Sequence, residues 1–208
     1  MPVEARENRP WLTRRDILET GVMEGRNLAI AYVDDPVELV DMPIVDREVL
    51  APGIVAYRTT KEAANLLRGL AQNSCFRQWE PAQVLDDKRE AAVNYNARTC
   101  YVKFINETQL SCHPHDPIRR LYESLEAGIA PMVEDFRAMY NVPRLKSYNW
   151  QITRYERGGS FHNHVDDCFE FQRVLSVSAL LNDDYTGGDL HFQHFNLPIK
   201  REAGKIVL

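Results

Sequence analysis

The segment from Tyr155 to Asp167 carries side chains well suited to hold a metal ion. His164 and Asp166 lie two positions apart, and His162 lies two positions before them. In a strand, side chains at i and i+2 project from one face, so His164 and Asp166 can offer an imidazole nitrogen and a carboxylate oxygen to one ion. His162 would share that face, roughly 6–7 Å further along the strand. The simpler alternative is a solvated strand end, because this triplet often occurs by chance.

A longer pattern surrounds the pair. Five residues fit the spacing Y-x-x-G-x-x-[FY]-x-x-H-x-D, namely Tyr155, Gly158, Phe161, His164 and Asp166. Residues 173–192 follow as "RVLSVSALLNDDYTGGDLHF", with an arginine, an apolar strand, Leu-Asn, an acidic turn, Gly187-Gly188 and a second strand. Over residues 147–208 the chain resembles the prolyl 4-hydroxylase-like branch of the Fe(II)/2-oxoglutarate-dependent oxygenases. Residues 1–146 resemble no family that we can name.

The resemblance implies a fold, a site and a reaction. The fold is a double-stranded β-helix, or jelly-roll barrel, which holds iron on two histidines and one carboxylate at its mouth. His164 and Asp166 match two of these ligands, Tyr155 matches an aromatic residue that lines the co-substrate pocket, and no further catalytic residue is identified. The implied cofactors are Fe(II), 2-oxoglutarate and O2, with ascorbate as an optional addition. The reaction hydroxylates a C–H bond of a prolyl or other side chain, or of a small molecule.

The chain departs from the family pattern at one position, and the last site residues of the family pattern are missing from it. Leu180 stands where a tyrosine often contacts 2-oxoglutarate, and Arg173 matches an arginine to which we assign a structural role. The third ligand and the Arg or Lys that clamps 2-oxoglutarate would follow "EAGKIVL", but the sequence stops at Leu208. We therefore expect a C-terminally truncated form of a longer protein, inactive as 208 residues. His191 or His194 could complete the triad, although a strand-end histidine is the simpler interpretation.

A second histidine-rich segment, "CHPHDP" at 112–117, could also suggest a metal cluster. We interpret Asp116 as the N-cap of a helix and Pro117 as its first residue, where a missing N–H does no harm. The helix is predicted over about 117–140, and Pro131 should kink or split it. Helix capping therefore explains this segment without a metal.

The remaining pattern predicts an α+β protein with helices first and strands last. Residues 1–50 are interpreted as an N-terminal extension or packing arm, and 51–208 as an oxygenase domain. Within that domain, 51–146 give helical support and 147–208 give the jelly-roll strands, with the last strands missing. Shorter elements are predicted as helices at 13–21 and at about 60–73, the latter capped by Thr59, and as strands at 27–33, 53–60 and 98–105.

Composition narrows the class of protein. The net charge of −5 argues against a nucleic-acid partner, and no apolar run approaches the roughly 20 residues of a membrane helix. The N-terminus is too charged for a signal peptide and the four cysteines form no CxxC pair, so we expect a cytoplasmic protein. A peptide or small-molecule substrate is expected, and the oligomeric state is not indicated. Two alternatives stay open, a non-catalytic jelly-roll binding module and a cupin-like metalloprotein.

Overall fold

The computed structural model of the protein describes most of the chain beyond its N-terminal region. The described residues are 38–75, 78–85, 91–105, 116–146, 150–166 and 173–208. The helix predicted at 13–21 and the strand predicted at 27–33 lie outside these ranges. One compact unit runs from Leu39 to Leu208. The predicted boundary between residues 50 and 51 stays a prediction, although a strand of this unit crosses it.

The described residues form two helices and eleven strands. The helices are α1 (Lys61–Asn73) and α2 (Pro117–Tyr140). The strands are β1 (Asp46–Ala51), β2 (Ile54–Arg58), β3 (Glu80–Pro81), β4 (Val84–Leu85), β5 (Ala91–Ala92), β6 (Tyr101–Ile105), β7 (Trp150–Arg154), β8 (Ser178–Ala179), β9 (Leu190–Phe192), β10 (Leu197–Ile199) and β11 (Lys205–Val207).

These strands pair in four small sheets, and every described pairing is antiparallel. The orders are β1-β2-β11-β8, β3-β6-β7, β10-β9 and β4-β5. The α+β class is therefore confirmed, whereas the jelly-roll topology stays a prediction. No helix within the described ranges is long and apolar enough to cross a membrane.

The core lies between the four-stranded sheet and the two helices. Tyr57 of β2 and Ile206 of β11 are each 1% exposed, and they pack in one cluster with Leu67 of α1 and Leu121 of α2. Burying one large apolar side chain stabilises a fold by about 1.5–3 kcal/mol, so this cluster is the main source of stability. Leu208 belongs to the same cluster, and its backbone N–H donates to the Val55 carbonyl at 2.9 Å.

Helix α1 begins one residue later than predicted. Thr60, not Thr59, is the N-cap, and its hydroxyl accepts from the Ala63 N–H at 3.1 Å. Thr59 stays extended with the sheet because its own N–H donates to the Gly204 carbonyl at 2.9 Å. Ala63, Leu67 and Ala71 of this helix face the core, whereas Leu66 is 55% exposed.

Helix α2 spans the predicted residues. The Asp116 carboxylate accepts from the Ile118 N–H at 2.8 Å and Pro117 opens the first turn, which confirms the predicted cap. Pro131 was predicted to kink or split this helix. It does not split it, because the helix continues to Tyr140 and ends at Asn141 in a left-handed conformation. Pro131 lies on the exposed side of the helix, where water can bond the carbonyl that loses its N–H partner.

The C-terminal strands β7 to β11 all lie within residues 147–208, where strands are predicted, but each has only two to five residues. The segment 160–166, predicted as a strand, is not one; it makes a single β-bridge from Phe161 to Arg98. Gly187 and Gly188 have positive φ angles of 73° and 66°, which fits the predicted Gly-Gly turn before β9.

Candidate metal-binding site

His164 and Asp166 lie side by side in the structure. Nε2 of His164 is 3.2 Å from Oδ1 of Asp166, and both side chains are part-exposed. The i, i+2 argument assumed a strand, but residues 162–166 belong to no strand of the described sheets. The two side chains nevertheless lie close together, as that argument predicted.

One ring nitrogen of His164 forms a hydrogen bond with the backbone. Nδ1 lies 2.8 Å from the carbonyl oxygen of His162, and since a carbonyl only accepts, Nδ1 carries the proton. In the neutral ring, Nε2 then points a lone pair at the carboxylate oxygen of Asp166. Nε2 is thus the ring nitrogen available to bind an ion beside Oδ1 of Asp166. His162 thus contributes its backbone carbonyl to the site.

Asp166 is held in place by two further groups. The Ser176 hydroxyl donates to Oδ2 at 2.6 Å, and Nη1 of Arg173 lies 3.2 Å from Oδ1. Partial burial alone would raise the pKa of the Asp166 carboxyl, but the Ser176 hydrogen bond and the charges of Arg173 and His164 outweigh it and lower the pKa. The carboxylate is therefore ionised at neutral pH. Arg173, to which we had assigned a structural role, contacts the site directly.

An aromatic stack supports the His164 ring. The Phe161 and His164 rings lie 3.7 Å apart between centroids with an interplanar angle of 18°. The guanidinium carbon of Arg98 lies 4.3 Å from the Phe161 centroid. The sequence pattern identified Phe161 but gave no role to Arg98, which lies outside the region of family resemblance.

Tight backbone packing joins residues 97–100 to residues 159–162. The His162 N–H donates to the Ala97 carbonyl at 2.9 Å, and the Thr99 N–H donates to the Ser160 carbonyl at 2.7 Å. A Cβ at Gly159 would lie 2.6 Å from the Thr99 carbonyl oxygen, so only glycine fits this approach. The loop that carries His164 and Asp166 is thus anchored on the segment leading into β6.

Tyr155 lies beside this anchor. Tyr155 is half exposed, and burial of its hydroxyl, followed by the nearby Cys100, raises the pKa of Tyr155 to about 12. Arg98 opposes this shift, and its Nε donates to Cys100 Sγ at 3.0 Å. The phenol therefore stays protonated at neutral pH and can donate a hydrogen bond. The assignment of Tyr155 to the co-substrate pocket stays a prediction.

The other candidate ligands are arranged differently. His191 is exposed on β9 opposite Pro198, and His194 lies in the short 3-10 turn Gln193–Phe195 with its ring edge against Phe195. Among the described residues, no group of three or more His, Cys, Asp or Glu side chains is placed to hold a metal ion. Residues 112–115 lie outside the described ranges. The ligand roles of His164 and Asp166 therefore stay predictions.

Leu180 is part of the sheet rather than of this loop. Its N–H donates to the Lys205 carbonyl at 2.8 Å, and its carbonyl accepts from the Gly204 N–H at 2.9 Å. The position that often carries tyrosine in the family thus continues the pairing between β8 and β11.

The His164–Asp166 pair fits two neighbouring ligands of a divalent ion. Two ligands bound at about 2.1 Å and at a right angle lie about 3 Å apart, close to the observed separation of 3.2 Å. The protonated Nδ1 and the ionised carboxylate are the forms that ligation needs. An imidazole and a carboxylate suit Fe(II), which the oxygenase resemblance implies.

Comparison with known proteins gives one weak similarity. No protein-family model matches the chain, and no solved structure matches it at a significant level. The chain is similar to a protein described as "Putative prolyl 4-hydroxylase" from Acanthamoeba polyphaga mimivirus, with 26% identity over 92 residues. The match covers 38% of this chain and 38% of the relative. The chain thus spans well under half of the relative's length and has a partial similarity to the prolyl 4-hydroxylase-like family at most.

Proposed function

We propose that the protein is an Fe(II)- and 2-oxoglutarate-dependent oxygenase that hydroxylates a C–H bond. The observation that carries this proposal is the His164–Asp166 pair, with Nε2 and Oδ1 3.2 Å apart and Nδ1 bonded to the His162 carbonyl. The similarity to a prolyl 4-hydroxylase relative supports the same class of reaction. The substrate is a prolyl or other side chain of a peptide, or a small molecule, and the location is the cytoplasm.

Each residue of the site has a role in this proposal. Nε2 of His164 and Oδ1 of Asp166 hold Fe(II), while Ser176 and Arg173 fix the carboxylate. Bound iron would couple the oxidative decarboxylation of 2-oxoglutarate by O2 to hydroxylation of the substrate, with ascorbate as an optional reductant. The proposed setting is the mouth of a jelly-roll barrel.

The surroundings of the pair favour an anionic co-substrate. 2-Oxoglutarate carries two negative charges, and one carboxylate ligand leaves an Fe(II) site with only about one net positive charge. The guanidinium groups of Arg98 and Arg173 add positive charge around the loop. The protonated Tyr155 hydroxyl can donate to a carboxylate instead of repelling it. These three residues make the region suitable for the dianion.

Metal binding tests the proposal first. We expect the protein to bind one equivalent of Co(II), used as a stand-in for Fe(II), in calorimetry. His164→Ala and Asp166→Asn should each weaken binding at least about tenfold, because either change leaves one protein ligand of the pair. His191→Ala, which removes an exposed histidine on β9, is the matched control and should bind as the wild type does. Equal Co(II) affinity in the wild type and in His164→Ala would contradict the proposal.

Turnover tests the reaction itself. In the full-length protein, release of labelled succinate from 2-oxoglutarate should depend on added Fe(II) and O2, and it should be lost in Asp166→Asn. If the protein binds metal but releases no succinate with any substrate tried, the oxygenase assignment is wrong although the metal site is real.

One observation favours a second candidate, a non-catalytic binding module. Oδ1 of Asp166 already contacts both His164 and Arg173, so a protonated imidazole would complete a structural ion-pair network without a metal. In that case Co(II) would not bind and His164→Ala would chiefly lower stability. The calorimetric comparison therefore separates the two functions.

A further inference from the structure

We propose that Arg98 and Phe161 are positioning residues that aim the His164 imidazole at the metal. This inference rests on the proposed function, because it concerns how the same site binds its ion. It assigns part of the site to the segment before β6, which lies outside the region of family resemblance.

The geometry is a sandwich of three planar groups. The His164 ring lies 3.7 Å from the Phe161 ring centroid and nearly parallel to it, and the Arg98 guanidinium carbon lies 4.3 Å from the same centroid. Two groups this close to one ring must occupy its opposite faces. A cation above one face of Phe161 is attracted by the negative face of the ring, typically by 0.5–1 kcal/mol or more. The cation–π contact with Arg98 therefore restrains the Phe161 ring, and the stack on Phe161 restrains the His164 ring.

Two restraints then fix the imidazole. The hydrogen bond from Nδ1 to the His162 carbonyl selects the tautomer, and the stack on Phe161 fixes the plane of the ring. Together they determine where Nε2 points. Without the stack, the ring of His164, whose side chain is 40% exposed, can turn about its Cβ–Cγ bond and must be ordered again each time a metal binds.

Both restraints depend on the segment 97–100, which precedes β6. Arg98 is fixed by its β-bridge with Phe161 and by the hydrogen bond from Nε to Sγ of Cys100, which is 5% exposed. The Ala97 carbonyl accepts the N–H of His162, the residue whose own carbonyl orients Nδ1. A continuous set of contacts therefore leads from a buried thiol to the metal-facing nitrogen.

The test measures metal affinity and metal geometry in matched variants. Phe161→Leu removes the aromatic face and should weaken Co(II) binding about tenfold, the lower end of the cost of losing an outer-shell partner. Arg98→Met should weaken it about threefold, in line with one cation–π contact. Phe161→Tyr keeps the stack and should restore the wild-type affinity. The visible absorption of saturated Co(II) should change in Phe161→Leu but not in Phe161→Tyr, which a purely stabilising role would not produce.

Arg201→Met is the matched control. It removes a cation–aromatic pair in which the guanidinium carbon of Arg201 lies 5.6 Å from the Tyr185 ring centroid. We expect its Co(II) affinity and spectrum to equal those of the wild type. A loss in Arg201→Met as large as in Arg98→Met would overturn the inference, because any surface guanidinium would then have the same effect.

The outcomes separate this inference from the proposed function. If the wild type binds no Co(II), the proposed function fails. If the wild type binds, His164→Ala does not, and both Phe161→Leu and Arg98→Met bind as tightly as the wild type, only the positioning role fails. If Phe161→Leu is unfolded by circular dichroism, Arg98→Met decides alone, since it leaves every ring of the site in place.

Discussion

The two carboxylate oxygens of Asp166 have different partners. Oδ2 accepts the Ser176 hydroxyl at 2.6 Å, whereas Oδ1 faces His164 and Arg173, each at 3.2 Å. The short bond to Ser176 thus decides which oxygen is left for an ion. Because Arg173 competes for Oδ1, the orientation supplied by Ser176 matters for the affinity of the site.

Ser176→Ala should therefore weaken metal binding without disturbing the fold. The carboxylate would be free to rotate toward Arg173, and we expect a loss of about tenfold in Co(II) affinity by calorimetry. The matched control is Thr186→Ala, which removes an exposed hydroxyl from the turn before Gly187 and should leave the affinity unchanged. An unchanged affinity in Ser176→Ala would mean that Arg173 alone orients the carboxylate.

At the level of single residues, the sequence could predict the His164–Asp166 pair but not the residues that orient it. The i, i+2 spacing of His164 and Asp166 correctly suggested that their side chains meet, although they belong to no strand of the described sheets. Arg98 and Ser176 were not predictable, since each reaches the site through tertiary contacts and neither has a distinctive spacing from the pair. Phe161 was identified only as one position of the family-like spacing pattern.

The start of helix α1 depends on a close approach between two elements. The Gly204 carbonyl, just before β11, accepts the N–H of Thr59, and the Gly204 N–H donates to the Leu180 carbonyl. Gly204 has a φ of +93°, and a Cβ there would lie 2.7 Å from the carbonyl oxygen of Thr59. Both the backbone conformation and the available space therefore require glycine at this position.

Gly204→Ala should destabilise the protein more than a matched change at Gly53. Gly53 also has a positive φ, +76°, but an added Cβ would meet nothing within 4 Å. We expect about 1 kcal/mol for Gly53→Ala from backbone strain alone, and about 2 kcal/mol more for Gly204→Ala from the clash with Thr59. Urea unfolding of the two variants measures the difference. Equal losses would show that β11 can shift away from Thr59 at little cost.

Elements with local sequence signals could be predicted, whereas elements set by contacts distant in sequence could not. Helix α2 was predicted closely because Asp116 and Pro117 specify its start within a few residues. The cap of α1 was placed one residue early because the pairing of Thr59 with Gly204 is distant in sequence and invisible to a local pattern. The short strands β8 and β10 are defined by their pairing partners, so the local sequence pattern did not specify either of them closely.

Across the whole molecule, the central sheet joins distant parts of the chain. The order β1-β2-β11-β8 places the final strand next to one of the earliest. The α+β class could be predicted, since it depends on local helix and strand patterns. The strand order could not, because no local signal specifies which strand pairs with which, and for the same reason the jelly roll stays part of the proposal.

Ion pairs tie this sheet to the helices and loops. Asp135 of α2 accepts from the buried Tyr57 hydroxyl at 2.7 Å and from Arg47 Nη1 at 2.9 Å. Glu202 forms ion pairs with Arg58 of β2 and Lys205 of β11. Asp183 meets Lys61 at the start of α1. Apart from the i,i+3 pair of Glu202 with Lys205, these contacts link segments that are far apart in sequence.

These carboxyl groups predict how stability depends on pH. The hydrogen bond from Tyr57, followed by that from Arg47, lowers the pKa of Asp135, and the hydrogen bond from Lys61 lowers the pKa of Asp183. Partial burial raises the pKa of Glu202, but Lys205 and Arg58 outweigh it. A carboxyl whose pKa is lower in the folded state binds fewer protons there than in the unfolded state. Its contribution is therefore complete above the unfolded pKa, about 4, and is lost as the pH falls through the folded pKa.

Asp135→Asn isolates one of these contributions. At neutral pH we expect a loss of about 1 kcal/mol in the free energy of unfolding, modest because the carboxylate is partly exposed to solvent. The loss should shrink as the pH falls below about 4 and the wild-type carboxyl, whose pKa is lowered in the folded state, also becomes protonated. Urea unfolding followed by tryptophan fluorescence across this range measures it. Glu80→Gln, at an exposed carboxylate of β3, is the control and should follow the wild-type curve at every pH. A loss in Asp135→Asn that stays constant into acid would mean that packing around Tyr57, and not the charge of Asp135, links α2 to the sheet.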